Sequence, residues 1–581
     1  MDALPALVEI VKRNQHWQVR QSAALELKKA ASRHWSDAAA ADSFKEDLKQ
    51  KVLDHLLVES DARVRQALSR ALEPIAKSDI PAGKWPALMQ FIEFCVNSDQ
   101  EARKETGMLI LFNLVETIPD SFASSMESVF QLFTAGLKDS SLEVRIISFK
   151  GLGAIGCLLE KDQKVMVEGL KALIPEMVTV LQQVLAVPSK VDVGVQMIEV
   201  FDSLMMSDAP ILNSHAIALI QMFVEIAANT NHLDDIRVMA LNFLMWAIVY
   251  KKQRIIKENI IEPIVKVIMP IGLEPFEDED DEDCPPKMAF SLIHTMALNL
   301  PSQHVFGPIM QMAVEYMKSP ESNHRLAGMM SMAKIMEGCP DDFQTVLGNV
   351  ITLIVGGMQD SEAAVKKASC LALSNLGEYL GDEVSMYHAQ LMPVLSTVLM
   401  DQREDVQRYA CLATDFLIEN LGPQEIRIYS ENLMTILFKL LQSEESSIQN
   451  KSSAMGAIGS IANVMGSDFA PYFGHVVPLL VKSCELAEVD QLPLRSMAID
   501  STGTIAAAVG KDVFAPYLES FMVSAVHGLG LDNSRLRECS YIFFGQISEL
   551  FETEFSKYLE VIVGELFKSI NLSEEGKIYY V

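Results

Sequence analysis

Apolar residues recur at helical spacing along almost the whole chain. In SMYHAQLMPVLSTVLM, Val394, Val398 and Leu399 follow Leu391 at offsets 3, 7 and 8, which gathers them on one face of a helix. DFAPYFGHVVPLLVKSC, VFAPYLESFMVSAVHGL and FSKYLEVIVGELF repeat the pattern, often with a Tyr or Pro near the start, and strand-like alternation is nearly absent. Between these runs lies a second kind of segment: an acidic or small polar stretch, an apolar residue, a basic residue, then a helical run of small and apolar residues. HWQVRQSAALEL, SDARVRQALSRAL, DSSLEVRIISFKGLG, LDDIRVMALNFL and DSEAAVKKASCLAL are examples. Aligning the basic position gives Arg20, Arg65, Arg103, Arg145, Lys190, Arg237, Lys287, Arg325, Lys366, Gln407, Lys451, Arg495 and Arg537, with successive members 38 to 50 residues apart. That period, centred on the low forties, belongs to HEAT or armadillo units.

Each unit therefore reads as a helical hairpin. Gly381-Asp382, Gly422-Pro423, Gly466-Ser467-Asp468 and Gly510-Lys511-Asp512 stand where one helix should close on Gly and the next open on a polar residue. A single hairpin cannot bury both its apolar faces, so neighbours must stack. The expected fold is an all-α HEAT-repeat superhelical solenoid, with armadillo-like units still open. The second helix of each pair, small in AMGAIGSIANVMG and AIDSTGTIAAAVG, is expected on the inner wall, where backbones approach closely.

Composition agrees with a repeated stack. At 581 residues the chain exceeds the roughly 250–300 at which a single core stops growing, and 49% hydrophobic with only 7% aromatic residues implies an aliphatic and Met-rich core. No apolar run approaches the ~18–20 uncharged residues of a membrane span, and MDALPALVEIVKRN lacks the order of a signal peptide, so a soluble, intracellular protein is expected. The eight cysteines stand singly without a C-x-x-C, which favours buried thiols over metal ligands. Net charge is −29, yet residues 1–105 hold 16 basic and 16 acidic residues, leaving 32 against 61 in the remainder. A field of that sign repels phosphates and steers basic proteins inward, though any single exposed carboxylate can simply aid solubility.

Chemistry-bearing motifs are few. Gly151-Leu-Gly153-Ala-Ile-Gly156 spells G-x-G-x-x-G, but no strand precedes it and it falls in the second helix of a repeat, so helix packing outweighs dinucleotide binding. No Walker, G-x-S-x-G or H-E-x-x-H motif is present and the histidines are dispersed, so no catalytic residue, metal or cofactor is expected and the chain is not read as an enzyme. The strongest local anomaly is Glu277, Asp278, Glu279, Asp280, Asp281, Glu282 and Asp283, fenced by Pro275, Pro285 and Pro286. Seven carboxylates repel one another, so an exposed loop is expected, either an inert insertion or an anionic clamp for a basic surface. Polar residues expected on inner helices are Asn375, Asp415, Glu419, Asp500, Ser501, Thr504 and Glu549, as ligands for lysines or an extended basic peptide, or equally as ladders between repeats.

VRQSAALELKKAASRHW, GKWPAL at 83–88, GLKDSSLEVR, the acidic stretch followed by MALNLPSQHVFGPIM, AIGSIANVMGSDFAPYF and DNSRLRECSY together resemble importin-β-type karyopherins, most closely the importin-four type and its fungal counterpart. HEAT periodicity alone is shared with phosphatase scaffolds and chromosome-organising proteins; the VRQ…HW run and the position of the acidic loop are the specific signals. The resemblance implies a nuclear import receptor, a monomer shuttling between cytoplasm and nucleus, that binds basic cargo such as histones and ribosomal proteins and releases it on binding Ran-GTP. It implies Ran contacts in repeats 1–120 and at the acidic loop within 273–286, further repeats at 121–272, a cargo-binding inner wall in 287–581, and Phe-Gly nucleoporins between outer helices. Neither nucleic acid nor membrane is an expected partner. Family members carry an additional helix or pair before this start and run to about twice this length, so an N-terminal half is expected. The alternative is a HEAT scaffold subunit of a multiprotein complex.

Overall fold

The computed structural model describes residues 3–35, 42–276 and 283–570. Among them the secondary structure is helical throughout, arranged as successive hairpins with no strand. The chain divides into two compact units, 1–260 with 278–288, and 261–277 with 289–581. In the first unit the second helices of successive hairpins, Trp17–His34, Ala62–Asp79, Glu101–Thr117, Leu142–Leu158, Val191–Met206 and Asp234–Lys257, each pack on the next. In the second unit the same holds for Ser322–Ile335, Ala363–Ser385, Glu404–Glu419, Ile448–Met465, Leu492–Val509 and Ser534–Phe551. First helices touch one another more sparsely.

Small residues make the close contacts between second helices. Ala454, Ala457 and Ala462 are fully buried on Ile448–Met465, and a Cβ added to Gly459 would stand 3.1 Å from Ser501 Oγ on the next second helix. The G-x-G-x-x-G string serves the same end. Within Leu142–Leu158, Gly151 lies against Phe133, Gly153 against Val200 and Gly156 against Leu204, each too close for a methyl group. The run is a packing surface, without the strand–turn–helix that would cradle a pyrophosphate.

Capping follows local chemistry. Asp61 accepts from Arg63 N, Ser447 Oγ from Asn450 N at 3.2 Å and Asn533 Oδ1 from Leu536 N at 2.8 Å. Gly466 (φ 56°) and Gly510 (φ 85°) close their helices in a backbone region that disfavours other residues. Gly381-Asp382 behaves differently from the turn expected of it. The helix Ala363–Ser385 continues past it across a kink at Leu380 (φ −134°, ψ 37°), and Gly381 presses on Asn420.

The recurring basic position has a structural explanation, with three corrections to its alignment. The fourth residue of the second helix reaches back to backbone carbonyls of the loop before that helix. Arg65 Nη1 donates to Glu59 O and Ser60 O (3.2 and 2.8 Å), Arg325 Nη1 to Ser319 O and Pro320 O (3.2 and 2.7 Å), and Gln407 Nε2 to Asp401 O (2.6 Å). The same side chains, or lysines in their place, reach forward to a carboxylate in the next loop: Arg20 to Glu59, Arg325 to Asp360 and Lys366 to Asp401. In the third hairpin the fourth residue is Lys104, bonded to Asp139 at 2.7 Å; Arg103 instead lies over the Phe94 ring. Lys190 is the N-cap of its helix and Lys287 the third residue of Pro285–Asn299, so neither belongs in the column.

Candidate protein-binding surface

The loop ladder uses up charge. Asp139, Asp360 and Asp401, in the loops before second helices, and Asp405, the second residue of Glu404–Glu419, are each matched by a basic side chain. They also turn the chain: Asp139 Oδ1 accepts from Ser141 N, Asp360 Oδ1 from Glu362 N and Asp401 Oδ1 from Arg403 N, at 2.9 to 3.0 Å. Other carboxylates are left without an ion pair, several of them farther along the second helices.

The residues expected there divide by burial. Ser501 is 3% exposed and donates to Met455 O at 3.2 Å, so it ties two second helices together beneath the surface. Asn375 Nδ2 donates to Ala333 O at 3.1 Å, and Thr504 lies between Asp500 O and Gln546 Nε2, both at 3.5 Å. These three join neighbouring repeats, the ladder role weighed for them at the outset. Asp415 and Asp500 are half-buried. Burial pushes the Asp415 carboxyl up to about 6, against a bond from Ser460, with Glu419 one turn on adding repulsion. Its Oδ1 is buried without a hydrogen-bond partner. Asp500 is raised by burial, partly offset by Arg535. Glu419 and Glu549 are exposed.

Two carboxylates absent from the expected set stand in register with Glu419. Glu337, Glu378 and Glu419 follow one another at intervals of 41 residues and are all exposed: Glu337 just past Ser322–Ile335, Glu378 before the kink in Ala363–Ser385, and Glu419 at the end of Glu404–Glu419. Glu337 meets His294 Nε2 at 3.2 Å and the hydroxyl of Tyr379. Glu378 and Glu419 have no ion-pair partner among the described residues. The column of basic residues signals them in the sequence, since each stands twelve residues beyond its own helix's fourth position.

Of the acidic loop, Glu277, Asp278, Glu279, Asp280, Asp281 and Glu282 lie outside the described residues; Asp283 is described, at the approach to Pro285–Asn299. Among the described residues no group of three or more His, Cys, Asp and Glu could hold a metal. The cysteines carry no disulfide, and burial pushes Cys370 and Cys484 up to about 12. No single described helix is long and apolar enough to cross a membrane.

These features define a HEAT-type helical-repeat solenoid whose basic column is engaged by carbonyls and carboxylates of the loops. Residues 1–58 match the family model "Importin-beta N-terminal domain", 60–222 "IPO5-like, TPR repeats" and 400–579 "Importin subunit beta-1-like, TPR repeats". Residues 323–420 also match one described as "Vacuolar 14 Fab1-binding region". The chain belongs to the importin-β family. It is 33% identical over 573 residues to the probable importin subunit beta-4 of Schizosaccharomyces pombe, covering 98% of this chain and 53% of the relative. Human importin-4 is 25% identical over 597 residues, covering 98% and 54%. The chain thus spans about half the length of the curated relatives it matches. The crystal structure of Kap121p bound to Pho4p superposes with a TM-score of 0.78 at 20% identity, covering 100% of this chain and 57% of that one, and Kap121p bound to Nup53p superposes at 0.77.

Proposed function

We propose that this chain is the receptor portion of a nuclear import factor. Basic cargo, of the kind that histones and ribosomal proteins present, is held on the second-helix face within 287–581. Ran in its GTP form releases it through repeats 1–120 and the acidic stretch Glu277 to Asp283. The observation that carries this reading is a set of carboxylates on neighbouring second helices, Glu378, Asp415 and Glu419, that have no ion-pair partner among the described residues, while Asp360, Asp401 and Asp405 close by are paired. Unpaired carboxylates on a repeat spacing suit lysines along an extended peptide, whose backbone spans several helices. Family membership and the importin relatives support the same reading, as do the crystal structures of Kap121p bound to Pho4p and bound to Nup53p. Phe-Gly nucleoporins are the proposed pore contacts, and shuttling between cytoplasm and nucleus follows from the proposal.

A pull-down with GTP-locked and GDP-bound Ran tests it. Selective capture of the GTP form is expected; equal or absent capture in both states favours a scaffold subunit instead.

A further inference from the structure

Two contiguous cavities of about 520 and 550 Å³ lie on the second-helix face of the first unit, with Arg70, Phe112, Lys150 and Gln196 in the walls of both. Four successive second helices line them, Ala62–Asp79, Glu101–Thr117, Leu142–Leu158 and Val191–Met206. The basic residues here do not all behave as they do in the loops. Arg65 is matched by Glu105, and Lys190 by Glu143. Lys150 has no carboxylate within ion-pair distance; its Nζ meets only the amide oxygen of Gln196, at 2.5 Å. Arg70 is exposed and has no hydrogen bond or ion pair in the described structure. Beside them Asn113, 5% exposed and lining the larger cavity, leaves its Nδ2 buried without an acceptor. A buried amide donor left unmatched is destabilising, so this part of the wall favours a ligand that brings an acceptor.

We infer that this groove is a binding site for an extended protein segment that presents one carboxylate, with a basic side chain beside it. Arg70 and Lys150 take the carboxylate, and Asn113 gains the acceptor its amide lacks. Glu116 and Glu199, which line the smaller cavity and are exposed, take the neighbouring cation. The same two glutamates argue against a polyanion such as nucleic acid, whose successive phosphates they would repel. The apolar walls, Phe112, Val115 and Val200 among them, accommodate the segment's flanking side chains. Burial of Lys150, with Arg70 close by, disfavours its charged form, and an incoming carboxylate would reverse that. The inference does not rest on the receptor proposal, although Arg70, Phe112 and Asn113 fall within the repeats 1–120 proposed there for Ran.

The test is fluorescence anisotropy of labelled Leu-Lys-Asp-Leu-Gly, blocked at both ends, against the full chain and its variants. Saturable binding is expected, at least tenfold weaker for the analogue with Asn in place of Asp, and at least tenfold weaker for Arg70→Ala and Lys150→Met. Asn113→Leu should weaken it several-fold; should that variant fail to fold, Arg70→Ala, at an exposed position, still decides. Equal binding of the Asp and Asn peptides, unchanged binding by Arg70→Ala, or no saturable binding at all overturns the inference. Ran capture by the unsubstituted chain, measured separately, bears only on the receptor proposal.

Discussion

Arg325 lays its guanidinium edge against Asp360, thirty-five residues on, with Nε and Nη2 at 2.6 and 2.9 Å from the two carboxylate oxygens. One side chain thereby joins three things: its own helix, the loop before it through Ser319 O and Pro320 O, and the loop of the next repeat. The bond from Arg325 holds the Asp360 carboxyl below its ordinary value. A carboxyl depressed in the folded state contributes stability that is present above its ordinary pKa and lost as pH falls through the lowered one. Asp360→Asn should therefore cost on the order of 1–3 kcal/mol at pH 7 in denaturant titration, with the deficit shrinking as pH falls below about 4. A deficit that is the same at both pH values would separate the pair from the stability it is credited with.

Lys104 and Arg103 test the register of the third hairpin. Lys104 bonds Asp139 at 2.7 Å with both groups mostly buried, whereas Arg103 covers Phe94. Lys104→Met should destabilise by about 1 kcal/mol or more and Arg103→Met by less, read from the denaturant midpoint. The reverse order would restore Arg103 to the column.

Asp202 is 6% exposed and bonded only by Asn242 Nδ2 at 3.3 Å, with Oδ1 unmatched. Burial pushes its carboxyl up to about 7. For a carboxyl raised in the folded state the protonated form is favoured, so stability declines as pH rises from about 4 to 7 and stays low above. Asp202→Asn, neutral at every pH, should raise the melting temperature at pH 8 and leave it nearly unchanged at pH 4. Equal effects at the two pH values would mean that ionisation of Asp202 is not what limits stability there.

Glu378→Lys with Glu419→Lys should weaken binding of a histone-tail peptide by about 1–3 kcal/mol, roughly ten- to a hundredfold, and slow its association most at low salt. Both positions are exposed, so the melting temperature should hold. Native affinity in the double variant would move the cargo surface elsewhere.

Gly153 touches Val200 across a helix pair with no room for a side chain. Gly153→Val should cost about 1–3 kcal/mol or more by overpacking, seen as increased protease sensitivity within 142–206. A variant as resistant as native would show that the two helices can part without loss.

The hairpin fold and its period were legible because they depend on local patterns: apolar residues at helical spacing, Gly466 and Gly510 at helix ends, and a basic residue recurring in the first turn of most second helices. Asp415 and Glu419 were legible as second-helix residues, on Glu404–Glu419. The assignment of neighbouring residues was harder. A helix turns about 100° per residue, so a start misplaced by one position puts a different side chain at the loop, which is how Arg103 stood in for Lys104. Ser501 went the same way, toward the neighbouring helix and out of solvent.

By itself, then, the order of residues determined a stack of helical hairpins, because the wish of each apolar face for a neighbour is written at every repeat. Which carboxylates are satisfied and which are left over was decided only by tertiary structure. Asp360 and Glu378 are equally acidic in the sequence, but pairing depends on the distance to a side chain one repeat away. Asp360 stands in the loop that Arg325 of the preceding repeat reaches, whereas Glu378 lies on the body of its helix with no basic side chain within ion-pair distance among the described residues.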